Sequence, residues 1–267
     1  MFDCNIHLPC GESGLDDRLC DEGNMGGKEL LRCFEQHRNI LQDKIHTGNF
    51  MLFNEKLSAN EASNFTSVVR KIFKDARFTI LVDINNPKEP ERLLSMKKAG
   101  IDAIKFHCYV QKIEEADFQK VMELAKVAVD LDMPIFLDTS YGSAGMYQYD
   151  NLRLAAFLLE EITSIPVVLL HSGGARILEA FLLAGACPNV YLESSFSLPY
   201  YIGSSVEQDM AFAYKRVSEK VIYGSDFPYV DMATSLKTFL KFVKDWEFTD
   251  AEIEGFLSLN VKKVFGA

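Results

Sequence analysis

The chain has 267 residues, and 28 Lys plus Arg against 38 Asp plus Glu give a formal charge of −10, which argues against a nucleic-acid-binding role. A composition of 48% hydrophobic and 25% charged residues is that of a folded globule and excludes a disordered or fibrous chain. No apolar run reaches the roughly 18 residues that cross a bilayer, no basic-then-apolar leader opens the sequence, and the cysteines lack CxxC spacing, so the expectation is a soluble, cytoplasmic protein with reduced thiols and no membrane partner.

In chain order, short β-rich runs alternate with stretches of helical spacing from end to end. The strand candidates are 2–8, 50–57, 78–84, 102–108, 134–140, 166–172, 190–196 and 221–227. Several are almost continuously apolar, the pattern of strands buried on both faces. Helices are expected over 27–40, 63–74, 87–99, 115–131, 151–162, 175–186, 205–217 and 232–247. In the fourth of these, Phe118, Val121, Met122, Leu124, Ala125, Val127 and Val129 supply the apolar positions. The tail opens on Thr249 with Glu252 three residues later, the signature of an N-capped extra helix.

Strict β/α alternation demands a parallel sheet with right-handed helical crossovers. Eight such units in about 250 residues fit an α/β fold of the (β/α)8 TIM-barrel type, allowing for distortion, over 1–267 as a single domain with an added C-terminal helix. Neither GxGxxG nor GxxxxGK[ST] is present.

Barrels of this type place their chemistry at the C-terminal ends of the strands. Strand one ends Asn5-Ile6-His7, strand four ends Lys105-Phe106-His107, strand five carries Asp138, and strand six stops at His171. Strand seven has Glu193 and Ser195, and strand eight offers Ser225 and Asp226. Period-two alternation turns Asn5, His7, Lys105 and His107 toward the axis and Ile6 and Phe106 toward the helices. By the same parity Cys4 and Cys108 should face outward as small apolar packing.

Singly, a strand-end His can bond a loop carbonyl and an Asp after Gly-Ser can cap a turn. Three histidines and two aspartates aimed at one small volume are costly unless a metal, a substrate or mutual pairing compensates them. Their nitrogen and oxygen donors suit one divalent ion, Zn²⁺, Mn²⁺ or Fe²⁺. Lys105 and Arg176 offer positive charge to a small anionic substrate. The alternatives are a salt bridge to Asp138 or Asp226 for Lys105 and a solvated helix start for Arg176. Tyr141 and Tyr229 follow strands five and eight, where they could line the pocket or pack beneath the loops. The loops 9–26 and 142–150 are long enough to act as lids. The aromatic content, 20 Phe and 10 Tyr, leaves room for a homodimer.

The segments DCNIHLP, IKFHCYVQ, PIFLDTSYG, VVLLHSGG and IYGSDFPY, with SLNVKKVFG at the tail, resemble the amidohydrolase superfamily over nearly the whole chain. The likeness is to its amidohydrolase-related branch, which includes aminocarboxymuconate semialdehyde decarboxylase and assorted lactonases. It matches His171 to the strand-six histidine, Asp226 to the strand-eight aspartate and His7 to the second histidine of the strand-one pair. Asn5 and Asp138 stand where the family has histidines. The resemblance implies a metal-dependent hydrolase whose ion, zinc or else Mn or Fe, is held by His7, Asp138, Asp226 and His171. A metal-free hydrolase is also compatible with it, since some lactonases of the family work without an ion. In this reading Asp226 accepts the proton of the attacking water, and His171 stabilises the oxyanion or protonates the leaving group. Lys105, His107, Asn5, Arg176 and Tyr141 would bind a carboxylated lactone, ester or amide. Nonoxidative decarboxylation and a noncatalytic barrel are the alternatives.

Overall fold

The computed structural model describes residues 1–8, 27–141 and 144–266. Eight parallel strands follow one another in sequence order around a (β/α)8 barrel. They are β1 (Phe2–Leu8), β2 (Thr47–Leu52), β3 (Arg77–Leu81), β4 (Ala103–Phe106), β5 (Ile135–Asp138), β6 (Val167–Leu170), β7 (Val190–Glu193) and β8 (Val221–Ile222). The regular part of β8 is brief, and single bonds complete the closure onto β1. Cys4 N–H donates to Tyr223 O at 3.0 Å, Asp226 N–H to Asn5 O at 3.0 Å and His7 N–H to Phe227 O at 2.7 Å.

The crossover helices are α1 (Gly27–Lys44), α2 (Ala59–Arg70), α3 (Glu89–Lys98), α4 (Phe118–Asp130), α5 (Asn151–Leu159), α6 (Ile177–Ala186), α7 (Ser205–Arg216) and α8 (Met232–Asp245). The start of α2 lies four residues before the spacing-based expectation. Ser58 and Glu61 form a capping box there, which satisfies free N–H groups and fixes the first turn. In α4 the buried face is Phe118, Val121, Met122, Leu124, Ala125 and Ala128, with Val127 and Val129 at its margins.

Two apolar layers result. Outward-facing strand residues such as Ile6, Phe50, Phe78, Phe106 and Leu169 pack on the helices. Inside the barrel, Met51, Ala103, Phe136, Val168, Leu170, Tyr191 and Ile222 form a second core, closed from below by Val261, Val264 and Phe265. Phe265 stacks on Phe136 at a centroid distance of 6.0 Å. Cys4 belongs to this inner core, which corrects the outward placement read from parity. The β1–β2 register shifts between Asp3 and Ile6, so counting by twos fails across that irregularity. Cys108 does face the helices.

The tail forms Asp250–Glu254, a π-helical turn Gly255–Leu259 and Asn260–Phe265, which we call α9. Thr249 and Glu252 make its capping box. The wider turn accompanies a bond outside the helix, since Phe256 O accepts from Tyr223 N–H at 2.9 Å. Asn260 then donates to Ser218 O and Val221 O, both at 2.8 Å, tying α9 to the start of β8. The barrel floor is thereby sealed by the chain's own C-terminal segment, leaving the opposite end for chemistry. Among the described residues no helix is long and apolar enough to cross a membrane.

Candidate active site

At the C-terminal end of the strands, Asn5, His7, Lys105, His107, Asp138, His171 and Asp226 are all buried. Asp138, the last residue of β5, is the hub. Its Oδ2 lies 3.1 Å from His171 Nε2, 3.4 Å from His107 Nε2 and 4.0 Å from Lys105 Nζ. Its Oδ1 accepts from Ser140 N–H at 3.2 Å and Ser140 Oγ–H at 2.9 Å. On the other side of the centre, Asp226 Oδ1 lies 3.3 Å from His7 Nε2 and accepts from Asn5 Nδ2 at 3.1 Å. Electrostatic interaction joins the halves, since His171 is influenced by Asp226 and His7 by both Lys105 and His171.

Local backbone explains how these side chains reach the centre. His107 and His171 are each the first residue beyond their strands. His107 caps the turn Cys108–Gln111, and His171 opens a tight turn ending at Arg176. His171 and Asp226 sit at φ +64° and +61°, a region L residues other than Asn and Asp seldom occupy. Such conformations persist where the surroundings over-determine them, and here both belong to the same polar centre. Gly174 is required by the same turn, because a Cβ on it would lie 1.8 Å from Ser140 O.

Burial and neighbours sort the charges. Burial lowers the His171 imidazole, but Asp138, Asp226 and Glu193 outweigh it and raise it from 6.5 to about 9. Burial would lift Asp138, yet His107, His171 and Lys105 hold its carboxyl well below the usual carboxylate range. Burial, aided by Lys105, brings His7 down to about 4 against the pull of Asp226. His107 also falls to about 4, mainly through burial. The centre therefore holds one protonated and two neutral imidazoles at neutral pH.

These shifts carry a sign. Folding raises His171 above 6.5, so its stabilisation is complete below that pH and is lost as pH climbs through about 9. The difference in unfolding free energy between wild type and His171→Gln is expected to shrink across that interval in urea titrations. A difference that grows with pH contradicts the assignment. For His7 and His107 the direction reverses, their contribution fading as pH falls from 6.5 toward about 4.

Arg176 and Tyr141 are not brought into contact with this hub. Arg176 donates to the Tyr141 hydroxyl at 2.9 Å and to Asp150 at 2.9 Å, and it forms a further ion pair with Glu179. The Tyr141 hydroxyl donates to Asp150 at 2.8 Å, and the buried ring lies 5.4 Å from that of Tyr147 and 4.8 Å from the Arg176 guanidinium. Tyr229 does reach the centre, its ring edge-on to His7 at 5.6 Å. The loop 9–26, with Cys10 and Cys20, and the tip 142–143 lie outside the described residues.

Two further residues shape the centre: Phe53, which no strand-end polar pattern selects, and Glu193, a strand-seven acid to which the sequence assigns no role. Phe53, just past β2, stands between His7 and His107 at ring distances of 5.8 and 5.6 Å and lies under Lys105 Nζ at 5.3 Å. Glu193 is wholly buried, and Gly224 leaves room for it, since a Cβ there would fall 2.3 Å from its Oε1.

A divalent ion needs deprotonated nitrogen and oxygen donors aimed at one point. Here Asn5 directs its amide N–H at Asp226. His171 Nε2 faces Asp138 with a proton between them, and the Lys105 ammonium faces the same carboxylate. Among the described residues no three His, Cys, Asp or Glu side chains are grouped to hold a metal ion. These contacts compete with an ion for the two carboxylates, while Asn5 Oδ1 and both ring nitrogens of His7 are buried without a hydrogen-bond partner among the described residues.

A family model described as amidohydrolase matches residues 67–267, a stretch that includes Lys105, His107, Asp138, His171 and Asp226. An uncharacterised TIM-barrel protein of Bordetella bronchiseptica superposes with a TM-score of 0.73 at 16% identity, covering 100% of this chain and 98% of its own. A probable 2-pyrone-4,6-dicarboxylic acid hydrolase of Acinetobacter baumannii, solved with citric acid bound, gives 0.64 at 14% identity over 100% and 99% of the two chains. The 4-oxalomesaconate hydratase of Rhodopseudomonas palustris gives 0.58 at 13% identity over 100% and 95%. At these identities the likeness is one of fold. No curated protein sequence matches the chain.

Proposed function

The chain belongs to the amidohydrolase family, and from that premise we propose that it hydrolyses a lactone, ester or amide bond in a small carboxylated substrate, using its own acid and base rather than a bound ion. One observation carries the reading: His171, 3.1 Å from Asp138, and Asp226, 3.3 Å from the His7 imidazole, are buried together at the C-terminal end of the strands. Burial and neighbouring charges take His171 up to about 9 and His7 down to about 4, and titratable groups separated in this way are how acid and base roles are divided at one pH.

In the proposed reaction, water between Asp226 and the substrate attacks the carbonyl carbon while Asp226 takes its proton. The bond to the leaving oxygen or nitrogen then breaks as the leaving atom takes the Nε2 proton of His171, which faces Asp138 before the reaction, and Asp138 stays an anion beside the neutral ring. Asp138 keeps His171 protonated and pointed inward. The Lys105 ammonium and the His171 cation favour a substrate carboxylate, and Phe53 with the Tyr229 ring offers an apolar wall for a flat ring. Asn5 orients Asp226.

The test is a panel of lactones of small dicarboxylic acids, with 2-pyrone-4,6-dicarboxylate first, beside a panel of aromatic carboxylic acids. Ring opening of a lactone supports the reading. Carbon dioxide release with no hydrolysis replaces it by decarboxylation, and no turnover of either panel refutes it for these substrates.

A further inference from the structure

The strand-seven acid Glu193 and the adjacent Ser195 have no part in the reaction just described, although both lie against His171. Ser195 Oγ is 3.1 Å from His171 Nδ1 and donates its own hydrogen to Glu193 Oε2 at 2.7 Å. The same hydroxyl accepts from Asn5 Nδ2 at 2.9 Å, and Asn5 also donates to Asp226. Glu193 Oε2 takes the backbone N–H of His171 at 3.2 Å, and Oε1 takes that of Ser195 at 2.6 Å. The Ser195 carbonyl, 3.2 Å from Nδ1, completes the edge on which the imidazole rests.

We propose that Glu193 is a positioning residue, which acts through the Ser195 hydroxyl and the backbone N–H of His171 to fix the ring that faces Asp138. This rests on the reading of His171 as proton donor. The ring is held from both nitrogens, by Asp138 at Nε2 and by Ser195 at Nδ1. Its backbone, in the left-handed region, is pinned by the same carboxylate. One acid thus fixes both backbone and ring of the residue, and the Asn5 bridge ties that arrangement to Asp226. A buried carboxylate bearing two backbone donors and a hydroxyl cannot be exchanged for its amide without loss, because an amide nitrogen cannot accept. Gly224 is part of the device, since any side chain there would displace Glu193 Oε1.

The experiment uses the whole chain labelled with ¹⁵N-histidine. The ring N–H resonance of His171 is assigned by its absence in His171→Gln, and its exchange with solvent is compared in wild type, Ser195→Ala and Glu193→Gln. Losing a hydrogen bond to a charged ring should speed that exchange by about tenfold or more in both variants, with the His7 and His107 signals unmoved. In the hydrolysis assay kcat should fall by about 10- to 100-fold while KM stays within about twofold. Unchanged His171 exchange in both variants overturns the proposal, as does a raised KM at unchanged kcat. If wild type turns over no probe yet the exchange responds as stated, the hydrolase reading fails and the positioning role stands. If turnover is present and exchange does not respond, only the positioning role falls.

Discussion

Asp226→Asn should lower kcat for lactone hydrolysis by about 10³-fold, within the range that a positioned general base contributes, while the protein folds as before. Asparagine suits the test because the backbone at this position has φ +61°, which Asn tolerates almost as well as Asp. The amide fills the same space beside His7 Nε2 and the Asn5 side chain, but it cannot take a proton from water. KM should change little, because Asp226 is asked to act on the water rather than to hold the substrate. A fall of less than about tenfold would remove Asp226 from the base role.

The other large effect concerns stability. Asp138→Ala is expected to cost about 3–5 kcal/mol at neutral pH, the usual result of removing one partner from a buried ion pair. The carboxylate is 3% exposed and faces the His171 and Lys105 cations, so its loss leaves like charges confronting each other in a medium that screens them poorly. Part of the cost can be relieved by His171 giving up its proton, since Asp138 is the leading neighbour that keeps it raised. Urea unfolding and the ring resonances of His171 together read both consequences. A change under about 0.5 kcal/mol, the scale of an ordinary surface substitution, would show that the pair is not the hub described.

The barrel was legible because its signal is redundant. Each β/α unit repeats the same apolar run and the same helical face, so a shift of a few residues in any one element leaves the architecture intact. The convergence of His7, Lys105, His107, Asp138, His171 and Asp226 was legible for a related reason, since closing eight parallel strands brings their C-terminal ends to one place. What parity could not see is the register shift in β1, which carries Cys4 into the inner core.

Arg176 lies near a strand end and is held there by local partners, Asp150, the Tyr141 hydroxyl and Glu179. Glu179, three residues on, was readable as a competitor, whereas Asp150 is distant in sequence and comes near only through the fold. Phe53 carries no polar atom and lies just beyond β2, so no rule about charged strand ends selects it. Glu193 was visible as a strand-seven acid, but its meaning depends on contacts with His171 and Ser195 that only the closed barrel supplies. The departures at Asn5 and Asp138 were visible from the start. In the structure Asn5 donates to Asp226, and Asp138 faces His171 Nε2 at 3.1 Å.

The claim beneath this account is that the Asp138–His171–Lys105 group and Asp226 perform hydrolysis without an ion. The most direct measurement is the turnover rate of an active lactone before and after exhaustive chelation, and again after Zn²⁺ is added back. The account predicts a rate unchanged within about twofold throughout, a barrier difference of roughly 0.4 kcal/mol. Activity that disappears on chelation and returns with zinc would contradict it.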